Sequence, residues 1–79
     1  MDTIKLNYPI DFEGGKLSEI TLRRPKVGDI NRATSKAKGD IATAIELAAI
    51  LSDLPPSAIE ELDAADFKRV EQVVSGFLE

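Results

Sequence analysis

The sequence contains no cysteine and no histidine. Without cysteine there are no disulfide staples, no thiolate nucleophile and no thiolate-held zinc. Without histidine the usual general base and the commonest transition-metal ligand are missing as well. Only four aromatics occur, Tyr8, Phe12, Phe67 and Phe77, and all four fall on apolar stripes, which leaves none free to stack on bases. The longest nearly apolar stretch, Ile41 to Leu51, is broken by Thr43 and Glu46 and is too short for a bilayer, which takes about 20 apolar residues. The opening MDTIKLNY lacks a basic segment followed by an apolar one, so no signal peptide is expected. Composition thus argues against catalytic, metal and cofactor sites and against membrane insertion, and it favours the cytoplasm.

What is present fits one small α+β domain spanning residues 1–79, with 43% apolar and 30% charged residues, a globular balance rather than a disordered one. A chain of this size buries only about 60–65% of its unfolded surface, so its core is modest. The net charge of −4 is unevenly placed. Residues 1–38 hold eight bases and five acids, a balance of +3, whereas residues 39–79 hold two bases and nine acids, a balance of −7. Such a split can orient a partner or a second copy of the chain; it also suits plain solvation of two differently used faces.

The first stretch alternates. Ile4, Leu6, Tyr8, Ile10 and Phe12 are apolar and the residues between them are not, the period of a half-buried strand. Pro9 places that strand at an edge, and the Gly14-Gly15 pair supplies a hairpin turn. The return strand, Leu17 to Arg24, carries Ile20 and Leu22. Aligning the apolar faces sets Ile10 opposite Ile20 and Tyr8 opposite Leu22, which requires a bulge near Ser18-Glu19 or a longer loop. Residues 1–25 therefore read as an antiparallel hairpin and residues 26–79 as three or four helices.

Beyond Pro25 a helix is expected with Asp29 in its first turn, a thin stripe of Val27, Ile30, Ala33 and Ala37, and Gly39 just past its end. Asp40 reads as the cap of a second helix, Ile41 to Leu51. Nine of those eleven residues are Ala, Ile or Leu, so this helix must be covered on most sides. Pro56 suits the first turn of a short helix over Ser57 to Leu62. Asp63 caps the last helix, with Asp66 in a capping-box position and a face of Phe67, Val70, Val74 and Phe77.

Among charged groups, Glu60-Glu61 and Asp63 with Asp66 are paired acids, explained by capping and solvation rather than acid–base work or cation binding. Gly15-Lys16 lies in a hairpin, not at a helix start, so it is no phosphate loop. Arg23, Arg24, Lys26 and Arg32 cluster at the strand–helix junction. In an acidic chain without free aromatics they suit acidic groups of a protein partner better than nucleic acid. Apolar residues on the two long helices and the hairpin exceed what so small a chain readily covers, and surplus apolar surface marks an interaction site unless the layers cover one another.

The order of motifs resembles the small tail assembly chaperones of Mu-like, contractile-tailed bacteriophages. The likeness is carried by Tyr8-Pro9-Ile10, Gly15-Lys16, Glu19 through Pro25 with its Leu-Arg-Arg-Pro, Val27-Gly28-Asp29, Leu54-Pro55, Leu62 through Phe67 with its Leu-Asp-x-x-Asp-Phe, and the ending Val74 to Leu78. Lys26 stands where the pattern leads one to expect Thr or Ser. The resemblance implies a non-enzymatic protein of the host bacterial cytoplasm that binds the phage tape measure protein and keeps it soluble until tail-tube subunits polymerise around it. It also implies, in many such phages, a longer frameshifted form of the same product as a further partner. A homo-oligomer is a further possibility.

Partner contacts are expected at Ile45, Ala48 and Leu51 of the middle helix and at Val73 and Phe77 of the last, with Arg23, Arg24 and Arg32 setting orientation. Reversing Arg23 and Arg24 together should then spare the fold and weaken association. Neither nucleic acid nor a membrane is expected as a partner. The alternative reading is a structural tail or baseplate component retained in the virion.

Overall fold

A computed structural model describes all residues, 1–79. Strand β1 (Asp2–Phe12) and strand β2 (Gly15–Leu22) form an antiparallel two-stranded sheet. Four helices follow: α1 (Val27–Lys36), α2 (Asp40–Ser52), α3 (Pro56–Glu60) and α4 (Ala64–Phe77). The α+β architecture expected from the patterning is the one observed.

The hairpin register differs from the expected one. The turn is Glu13-Gly14, with φ of 50° and 81°, positive at both central residues as a type I′ turn requires. Phe12 therefore faces Gly15 and Ile10 faces Leu17. The irregularity sits on β1, between Lys5 and Ile10, and beyond it Ile4 faces Ile20 and Asp2 faces Leu22. The bulge thus belongs to Leu6 through Pro9, not to Ser18-Glu19. Pro9 cannot donate to a ladder, and the bulge carries it through a stretch with no partner strand. Ile4, Leu6, Ile10, Ile20 and Leu22 still reach the core, whereas Tyr8 is turned out, 60% exposed.

Helix α1 starts at Val27 despite the lysine before it, because the Asp29 carboxylate accepts the Lys26 amide at 2.8 Å, the return half of a capping box. Its stripe is thinner than expected. Ala33 is buried, but Val27 is 84% exposed. The helix closes on Ala37 in extended conformation, so Gly39 does not serve its C-terminus. Gly39 instead precedes α2 with φ of 93°, a value open only to glycine at low cost. Asp40 is the first residue of α2, not its cap.

Helix α2 is the centre of the molecule, packed against α1, α3, β2 and α4. Its second half supplies Leu47, Ala48, Ala49 and Leu51 to a core completed by the five hairpin residues, Ala33, Ala58, Ile59, Leu62 and Val70. Its first half is less covered: Ile41 is 71% exposed and Ala42 through Ile45 are half-buried. Asp53 in left-handed conformation ends the helix, its amide and that of Leu54 returning to Ala49 and Ile50, a Schellman-like closure. The Arg23 amide donates to the Leu51 carbonyl at 3.1 Å, tying the end of α2 to the strand–helix junction.

Candidate functional site

Two aspartates are buried, Asp29 and Asp66, and charged residues are rarely so unless paired. Asp29 receives both terminal nitrogens of Arg23, at 2.7 and 3.0 Å, one from Arg32, and the Lys26 amide. A bidentate guanidinium on a carboxylate is among the stronger protein hydrogen-bond pairs. The Arg23 hydrogen bonds, then the Lys26 amide, then the Arg23 and Arg32 charges hold the Asp29 carboxyl well below the usual carboxylate range, with burial opposing them. The same hydrogen bonds push Arg23 up. The Leu-Arg-Arg-Pro and Val-Gly-Asp motifs are therefore two halves of one ionic joint.

Asp66 holds a second joint. Its two oxygens accept the amides of Asn7 at 3.1 Å and Tyr8 at 3.0 Å, within the β1 bulge where those amides have no strand partner. Arg69 lies 3.7 Å from the same carboxylate and donates to the Lys5 carbonyl. Asp63 caps α4 as expected, accepting the Ala65 amide at 2.9 Å. Asp66 does not complete a capping box with it; the carboxylate is drawn across to β1, where two amides without a strand partner need an acceptor. Each oxygen of both buried carboxylates accepts at least one of the fold's own donors. No group of three or more acidic side chains comes together in a way that could hold a metal ion.

The arginines named from the sequence are thus engaged within the chain. Arg23 and Arg32 meet on Asp29, and Arg24 lies 5.5 Å over the Phe77 ring while donating to the Phe77 carbonyl at 3.1 Å. Arg24 and Arg32 remain exposed on their outer sides. Of the apolar candidates, Ala48 and Leu51 lie inside the core, and Ile45, Val73 and Phe77 are half-buried against it. The structure does not bring these eight residues together as one surface.

It assembles a different feature. Ala44, Leu47 and Ala48 of α2 and Val70, Glu71, Val74 and Ser75 of α4 line a groove of about 100 Å³. Ile41 lies one turn before Ala44 on the same face of α2, and Leu78 lies one turn beyond Val74 on that of α4; both are exposed, 71% and 57%. Ile41, Ala44, Val74 and Leu78 are not among the partner contacts expected from the sequence. The signal was there: Ile41 opens an apolar run just past a glycine, where a helix's first turn has no neighbour to cover it.

No helix is long and apolar enough to cross a membrane. No curated protein and no solved structure matches the chain. The family model described as phage tail assembly chaperone proteins, E, or 41 or 14, matches residues 3–79. With nearly the whole chain matched, and with the two motif-bearing joints explained as parts of one fold, the protein belongs to the phage tail assembly chaperone family.

Proposed function

We propose that the chain acts by stoichiometric, non-catalytic binding of the phage tape measure protein in the host bacterial cytoplasm, keeping it soluble until the tail tube forms around it. The observation that carries this reading is the apolar groove between α2 and α4, with Ile41 and Leu78 exposed one turn beyond its lining residues, in a chain of this family. A tape measure is a long chain with apolar helical stretches that aggregate when bare. Covering them with a domain of net charge −4 confers repulsion between complexes and hence solubility.

Co-expression tests the reading. The tape measure protein of the same phage, insoluble alone, is expected in the soluble fraction with this chain and in a defined stoichiometry on gel filtration. A tape measure that stays insoluble, or this chain retained in purified virions, sinks the chaperone reading; virion retention points instead to a structural component.

A further inference from the structure

The groove between α2 and α4 has an asymmetry of charge that bears on what enters it. Between Lys38 and Lys68 the chain holds no lysine or arginine at all. Asp40 lies one turn before Ala44 on the groove face of α2, Glu71 lines the groove from α4, and Glu79 follows just past the end of that helix. None of these three acids takes part in the chain's four ion pairs. Two basic side chains stand on α4. Arg69 is turned away to the Lys5 carbonyl and Asp66, which leaves Lys68, one turn before Glu71, as the base of α4 nearest the groove.

Size and shape narrow the occupant further. At about 100 Å³ the groove is well below the roughly 300–1,000 Å³ of sites that enclose a small molecule. It suits one or two side chains of something laid along the surface. Ala44, Ala48 and Ser75 keep the walls low, so a third helix can approach to the ordinary interaxial distance of about 8–10 Å. Exposed Ile41 lies one turn before the lining residues of α2, and exposed Leu78 one turn beyond Val74 of α4, which extends the apolar track a helix can contact.

Resting on the chaperone reading above, we infer that the α2–α4 groove is the docking site for an amphipathic helix of the partner whose apolar stripe is flanked by lysine or arginine. The apolar stripe covers Ala44, Val74, Ile41 and Leu78. The flanking bases meet Asp40, Glu71 and Glu79, which select the partner segment and speed its encounter more than they tighten it. The basic strand–helix junction, its arginines tied to Asp29 and Phe77, plays no part in this contact.

The test uses two synthetic amphipathic helices of about 20 residues, long enough to hold helical structure, with one Leu/Ala stripe and flanks of either lysine or glutamate. Each is titrated into the full chain and followed by amide NMR shifts and calorimetry. The lysine-flanked peptide is expected to move the amides of Ala44, Leu47, Val74 and Ser75 and to bind about tenfold tighter than the glutamate-flanked one. Glu71→Lys should narrow that ratio, and Ser75→Trp, which fills the groove from an exposed position, should abolish binding with the thermal midpoint unchanged. Equal binding of the two peptides, shifts centred on Arg24 and Phe77, or no binding overturns the proposal. So does a concentration-dependent dimer of the chain lost in Ser75→Trp, because a second copy would then be the occupant. The functional reading fails separately: wild-type protein that binds the lysine peptide in the groove yet leaves the tape measure insoluble keeps the site and removes the role. Wild-type and Ser75→Trp proteins that solubilise it equally keep the role and remove the site.

Discussion

The Asp66 carboxylate, buried in the first turn of α4, accepts the backbone amide of Tyr8 at 3.0 Å across 58 residues of chain. With the neighbouring Asn7 amide it closes the one stretch of β1 that the sheet leaves unpaired. A residue placed in a capping position by its spacing from Asp63 is thus the fastener between the first strand and the last helix. Its loss is expected to be felt at both.

Asp66→Ala removes a buried acceptor and leaves the two bulge amides without it, and should cost about 3 kcal/mol. Asp63→Ala removes one exposed cap bond and should cost about 1 kcal/mol. Asp66→Asn, with a single acceptor oxygen, should fall between them. Urea denaturation of the three variants decides this; equal costs for the two alanine variants would show that the bulge is held by something other than Asp66.

Acid should unfold the protein in part through Asp29. Its carboxyl is depressed in the folded state by Arg23 and the Lys26 amide. A depressed carboxyl contributes stability that is present above its unfolded value, about 3.9, and is lost as pH falls through its folded value. Asp29→Asn should therefore lower the urea midpoint at neutral pH, with the wild-type and variant curves converging below about pH 4. The chain has no histidine, so both curves should run flat between about pH 6 and 8. Parallel curves down to low pH would contradict the assigned ion pair.

Arg23 and Arg24 should separate in their effects, whereas the sequence alone suggests that reversing both spares the fold. Arg23→Glu sets a second carboxylate against buried Asp29 and should lower the thermal midpoint clearly. Arg24→Glu gives up only an exposed hydrogen bond and a contact over Phe77, under about 1 kcal/mol. Thermal unfolding of the two single variants measures the difference, and a larger loss from Arg24→Glu would be the wrong way round.

Apolar positions on α2 should divide by depth. Leu51→Asp places a charge in the core and should abolish cooperative folding. Ile41→Asp, at an exposed site, should stay within about 0.5 kcal/mol of wild type and yet reduce recovery of soluble tape measure protein on co-expression. Circular dichroism melts paired with that recovery assay check both halves; full recovery with Ile41→Asp would remove this residue from the contact surface.

Much of this architecture is legible in the sequence because it is local. Alternation over Ile4 to Phe12 gives a strand, the prolines and glycines punctuate it, and the three- and four-residue spacing of Phe67, Val70 and Val74 gives a helix. The register was not legible. Tyr8 obeys the alternation as well as Ile10 does, and only the presence of α4 beside β1 shows why the strand breaks step between them. The arginines misled for a similar reason: a basic cluster looks the same whether it faces a partner or a buried aspartate six residues on.

The sequence by itself determined the elements, their order and the absence of histidine and thiol chemistry, since propensity, periodicity and composition are properties of neighbouring residues. Only the tertiary structure decided which charges are spent inside the fold and which apolar residues stay outside it. Asp29 and Asp66 are structural because a buried carboxylate must find donors wherever the packing brings them, and Ile41 and Leu78 remain exposed because no further element of this chain reaches the groove they extend.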